Sequence, residues 1–73
     1  MWLYKSPIGN IYIKRLNNGR YGMIFDGVVW ESCSTPQAEA DNVYMQVTGC
    51  STWDMYDATG CVVPSDLSEW EQI

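Results

Sequence analysis

The sequence predicts an α+β domain: a three-stranded antiparallel β-meander, one α-helix packed on one face, and an irregular C-terminal segment. Two dipeptides carry the sheet. Asn18-Gly19 and Asp26-Gly27 are hairpin signals, because Asn-Gly and Asp-Gly supply the positive-φ positions of a type I′ turn. A change of period carries the helix. Ala40, Val43, Tyr44 and Val47 recur at i, i+3, i+4 and i+7, the spacing of one helix face.

In chain order, Ser6-Pro7-Ile8-Gly9-Asn10 is turn chemistry leading into a first strand over residues 11–16. The second strand covers 20–26, with Tyr21, Met23 and Phe25 on one face and Gly22 and Ile24 on the other. The third covers 28–33, and two tight turns between three short strands make a meander. Thr35 is an N-cap and Pro36 suits the first helical position, so the helix runs from about 36 to 48 with Gly49 as its left-handed cap. Gln37, Glu39, Asp41, Asn42 and Gln46 fall mostly away from the apolar face. Glu39 and Asp41 suit the positive end of the helix dipole. Beyond residue 50, Trp53, Met55 and Tyr56 are too apolar for a free tail and are expected to fold back over the core edge. Ala58-Thr59-Gly60 reads as a turn. Asp66 and Glu69 open a short helix in capping-box spacing, with Leu67 and Trp70 on one side.

Residues 1–73 make one domain, with no internal repeat, linker or low-complexity segment. A core this small supplies only about 3–5 kcal/mol. Four Trp, five Tyr and one Phe offset the shortness and argue against disorder. No run approaches the ~20 apolar residues of a membrane helix, and no secretory signal opens the chain. The expectation is a cytoplasmic protein. Cys33, Cys50 and Cys61 are an odd number, which reads as free thiols; a Cys50–Cys61 bridge is the alternative.

Charge is distributed unevenly. Lys5, Lys14, Arg15 and Arg20 are the only bases, and all nine acids lie after residue 25, for a net −5. Counterion release disfavours a net-acidic chain on a phosphate backbone, so the expected partner is a protein with a basic surface and not nucleic acid or membrane.

No His is present, which removes imidazole-activated nucleophiles. There is no C-x-x-C pair to begin a zinc site and no glycine-rich phosphate loop, so no metal, no cofactor and no catalytic residue are expected. Asp54 and Asp57 stand three apart but read as an exposed acidic turn, and the chain is not expected to be an enzyme. Tyr12, Lys14, Arg15, Arg20 and Tyr21 form a basic, aromatic cluster on the first hairpin; ordinary cross-strand pairing accounts for it better than a grip on single strands. Trp30 and Trp70 are hot-spot residue types more at home in a core, although at least one Trp should stay partly exposed. The residues chosen for partner binding are Glu39 and Asp41 on the outer helix surface, with Asp54 and Asp57 just beyond it.

Gly9 through Ile13, Tyr21 to Gly27, Thr35-Pro36-Gln37-x-Glu39-Ala40-Asp41-Asn42-Val43-Tyr44, Thr48-Gly49-Cys50, Trp53-Asp54 and Val63-Pro64-Ser65-Asp66-Leu67 with Trp70 resemble a pattern in small uncharacterised bacterial and phage-borne proteins. The resemblance covers residues 9–70 and implies a genomic setting but no site residues. Ser6-Pro7-Ile8-Gly9 also resembles the start of DNA alkyltransferases, but their Pro-Cys-His-Arg active site is missing. The expectation is therefore a small acidic interaction protein, encoded by a phage or mobile element, that inhibits a host defence complex by occupying its basic, nucleic-acid-binding surface. A structural or regulatory accessory domain that homodimerises through its open sheet face is the alternative.

Overall fold

A computed structural model describes residues 1–73 and shows an α+β domain with one antiparallel sheet of order β4-β3-β2-β1-β5. The strands are β1 (Trp2–Ser6), β2 (Gly9–Arg15), β3 (Tyr21–Phe25), β4 (Val28–Cys33) and β5 (Glu71–Gln72). The helices are α1 (Pro36–Met45), α2 (Ser51–Asp54) and a 3₁₀ turn, Leu67–Glu69. The expected meander is present as β2-β3-β4, but the sheet has five strands and not three. Pro7-Ile8 is a turn, as its chemistry predicts, but it joins β2 to an additional strand before it: Ser6 pairs with Gly9 and Trp2 with Ile13. The last residues then return to β1, where Trp2 pairs with Gln72 and Leu3 with Glu71.

The two later turns differ from one another. Asp26 and Gly27 both have positive φ, 55° and 75°, as a type I′ turn requires. At Asn18-Gly19 only Gly19 is positive, and Leu16 and Arg20 close the loop through Leu16 N–H to Arg20 O at 2.7 Å. That is a three-residue loop with glycine in the left-handed position, not type I′.

Ile11, Ile13, Met23 and Tyr4 point to the face under α1 and form the core with Ala40, Val43, Cys50, Trp53 and Trp70. Thr35 Oγ1 caps α1 by accepting from Ala38 N–H at 3.1 Å, with Pro36 in the first turn. The helix stops earlier than its spacing predicts. Gln46 takes the left-handed conformation (φ 57°, ψ 48°), and its amide donates to the Trp53 and Tyr56 carbonyls at 2.8 and 2.7 Å. Val47 therefore leaves the helix and is exposed, and Tyr44 also faces outward. The buried stripe is Glu39, Ala40 and Val43, turned by about one position from the Ala40–Val43–Tyr44–Val47 line.

The C-terminal segment closes the core, as its aromatics led us to expect. Trp53 is fully buried and packs edge-on against Tyr4, which also meets Trp70 edge-on. Met55, by contrast, is 85% exposed. Asp66 caps the 3₁₀ turn by accepting from Ser68, and Leu67 N–H donates to Gln37 of α1 at 3.2 Å. All three cysteines are free: Cys50 is buried, Cys33 half-buried and Cys61 exposed, so the alternative Cys50–Cys61 bridge is not formed. No helix is long and apolar enough to cross a membrane.

Candidate functional site

The four acidic residues selected from sequence do not form one face. Asp41 is exposed and accepts from the Gln37 side chain at 2.8 Å. Asp57 is exposed at the start of the next turn, where hydrogen bonds from Thr59 hold its carboxyl below the usual carboxylate range. Asp54 is committed locally. Its Oδ1 accepts from Thr48 N–H and Oγ1 at 2.9 and 2.7 Å, and its Oδ2 accepts from Gly49 N–H at 2.8 Å. That carboxylate builds the bend between α1 and α2.

Glu39 is a correction. The sequence reading places it on the outer helix surface, yet it is 0% exposed. It stands one residue before Ala40 and four before Val43, so once the helix docks on Ala40 and Val43 it is carried inward toward β4.

What the outer face of α1 does present is Asp41 with Tyr44 and Met45, at i, i+3 and i+4, both apolar residues more than half exposed. Val47 extends this surface. A Cβ on Gly49 would lie 3.6 Å from the Trp30 carbonyl oxygen, so the chain leaving α1 runs against β4. Along that edge strand Val28, Val29 and Trp30 are 46%, 49% and 40% exposed. A bulge between Met23 and Ile24 pairing makes Trp30 the extra residue, and its indole donates to Phe25 O at 3.1 Å. Of the two tryptophans singled out by residue type, Trp70 lies in the core with Trp53, and Trp30 is half-exposed.

The opposite sheet face carries a second feature. Leu3, Tyr12, Ile24 and Val29 lie in register across β1 to β4, forming an apolar row. Gly22 deepens the face beside it: a Cβ there would stand 3.0 Å from Leu16 Cδ1 and Val29 Cγ1. Lys5 and Lys14, at alternate positions to the core residues of their strands, flank the row. The basic, aromatic cluster is consequently divided. Tyr12 and Lys14 belong to the open face, Tyr21 packs edge-on against Trp2 on the other, and Arg20 binds Ser32 Oγ and O at 2.9 Å each.

Between α1 and β4 lies a third feature, which sequence spacing did not disclose. Glu31 and Cys33 alternate onto the helix side of β4, and Glu39 enters from the first turns of α1. One carboxylate oxygen from each Glu and Cys33 Sγ lie within 4.8 Å of one another. Asn42 Nδ2 donates to both Glu31 oxygens at 3.2 and 3.4 Å and to Cys33 Sγ at 3.5 Å. Both Glu39 oxygens are buried, and as bare carboxylate oxygens neither meets a donor. Burial, then a hydrogen bond shared with Glu31, pushes the Glu39 carboxyl up to about 8. The proton so retained gives the pair the donor it otherwise lacks. Burial, then Glu39, pushes the Cys33 thiol up to about 11. The only hints in the sequence are Glu31-x-Cys33 on one strand face and a Glu beside a buried helix stripe.

No protein-family model, curated protein or solved structure matches the chain.

Proposed function

We propose that the chain is a small protein-interaction domain whose binding surface is the outer face of α1 and the chain that follows it. One observation carries this reading: Asp41, Tyr44 and Met45 are exposed side by side on one helix face, continued by Val47. An apolar centre flanked by the Asp41 carboxylate suits a partner surface that is itself apolar and carries basic groups at its rim. Asp41 and Asp57 remain available to steer such a partner, whereas Asp54 and Glu39 are engaged internally. The specific role we propose is that of a phage- or mobile-element-encoded inhibitor that occupies a basic, nucleic-acid-binding surface of a host defence complex.

The test is comparative capture from host cells with the wild type, Asp41→Lys and a Tyr44→Ala/Met45→Ala double variant. A bona fide partner is lost from the double variant, and its on-rate falls with Asp41→Lys and with rising salt. A partner that ignores all three changes refutes the surface.

The in-register, half-buried Tyr12 and Ile24 with exposed Val29, beside a buried Leu3, favour a second reading, self-association through the open sheet face. It requires a mass near twice 8.3 kDa at high concentration that falls on dilution.

A further inference from the structure

We propose that Glu31, Cys33 and Glu39, with Asn42 beside them, bind one thiophilic divalent cation of the zinc class and thereby fasten α1 to the edge strand β4. Three independent features of the cluster converge on this. The potential ligand atoms already lie within 4.8 Å of one another, two on β4 and one on α1. Zinc bonds of about 2.0 Å to oxygen and 2.3 Å to sulfur put tetrahedral ligand atoms about 3.5 Å apart, so rotamer adjustments of about an ångström close the site. Glu39 is 0% exposed, brings one carboxylate oxygen into the cluster, and has no hydrogen-bond partner for either of its buried oxygens. A buried carboxylate needs a proton, a donor or a cation. Asn42 reaches Glu31 and Cys33 together, and a half-turn of its amide presents Oδ1 at the same place as a fourth ligand.

The donor set selects the cation. A thiolate with two carboxylates and an amide oxygen offers too few oxygens for calcium and a ligand too soft for magnesium. Zinc accepts all three donor types at coordination number four. Binding displaces the Cys33 thiol proton and the Glu39 proton to solvent, and the cation then neutralises the charge they leave. Cys50 is buried in the core away from this cluster, and Cys61 is exposed, so Cys33 is the thiol that the fold assigns to it.

Cobalt serves as the spectroscopic probe, applied to the whole reduced chain in a non-chelating buffer. One equivalent is expected to produce thiolate-to-cobalt charge-transfer absorption, which zinc abolishes by displacement while raising the unfolding midpoint. Cys33→Ser should remove the band. Glu39→Gln keeps the shape and removes the buried charge, so circular dichroism should stay native while cobalt affinity falls at least tenfold, since even outer-shell partners are worth about 10–100-fold. Cys61→Ser should change neither. The proposal is overturned if wild type shows no thiolate band and no midpoint shift at a hundredfold excess of zinc. It is equally overturned if the band survives Cys33→Ser, vanishes with Cys61→Ser, or keeps its affinity in natively folded Glu39→Gln.

Discussion

The indole N–H of Trp53 donates to the carbonyl oxygen of Val43 at 2.9 Å. The largest core side chain thus also satisfies one of the carbonyls that the end of α1 leaves without a full helical partner. Replacing Trp53 by Phe retains much of the apolar body but removes that donor, leaving the Val43 carbonyl only the Gln46 N–H at 3.1 Å. A loss of about 1–3 kcal/mol is expected by urea unfolding, against about 3–5 kcal/mol for Trp53→Ala. Equal losses for the two would show that the N–H, and not the ring's apolar volume, carries the effect.

Gln46 has two roles that substitution separates. Its backbone is left-handed, and its side chain joins α1 to the Trp53 and Tyr56 carbonyls. Gln46→Ala loses the two bonds and keeps the unfavourable φ; Gln46→Gly loses the bonds and relieves the φ, worth about 1 kcal/mol. Thermal unfolding should rank wild type above Gly and Gly above Ala. Ala at or above Gly would contradict the left-handed geometry.

Stability should fall as pH rises through neutrality in a chelator-containing buffer. Glu39 is raised from 4.5 to about 8 by burial and by Glu31, so between those values the folded chain holds a proton that the unfolded chain has released. The stabilisation is complete below about pH 4.5 and is lost on approach to pH 8, with a slope of up to about 1.4 kcal/mol per pH unit. Glu31 and Cys33 face this group from β4, and Arg20 favours its charged form. Asp57 and Asp66 are lowered from 3.8, so their contributions are constant above that value and vanish only in stronger acid. Glu39→Gln should flatten the slope between pH 5 and 8. An unchanged slope would place the titrating group elsewhere.

Thiol labelling of the native chain should proceed in three tiers. Cys61 is exposed and should react first, Cys33 slowly because its thiol is raised to about 11, and Cys50 only after unfolding. Mass spectrometry of a timed iodoacetamide quench reads the order. Cys50 labelling at the Cys61 rate would mean that the core around Trp53 is open.

The turn and cap chemistry was legible because single residues enforce it: Asp26-Gly27 delivers both positive φ values, and Thr35-Pro36 starts α1 where expected. β1 was not legible. Leu3 and Tyr4 are both apolar and face opposite sides, so the strand shows no alternation, and Pro7 reads as punctuation before the first strand. β5 is two residues long and polar, and only its pairing with Trp2 and Leu3 defines it. Glu39 was misplaced because the helix docks about one position off the line drawn through Tyr44 and Val47, and charge alone argued for solvent. Asp41 and Asp57 lie at the surface where they were sought, while the task of Asp54 became visible only when the backbone brought Thr48 and Gly49 to it.

The Ile73 N–H donates to the Met1 carbonyl at 2.9 Å, so β5 closes on β1 with residues 1 and 73 side by side. Tension applied through those two residues would load that bond first, then the Trp2–Gln72 pair, then Leu3–Glu71, in succession and never together. The sheet would unzip from this corner at low force, because no two rungs share the load. Once β5 has peeled away, Trp70 immediately before it is drawn off Tyr4, and the core opens from its C-terminal side.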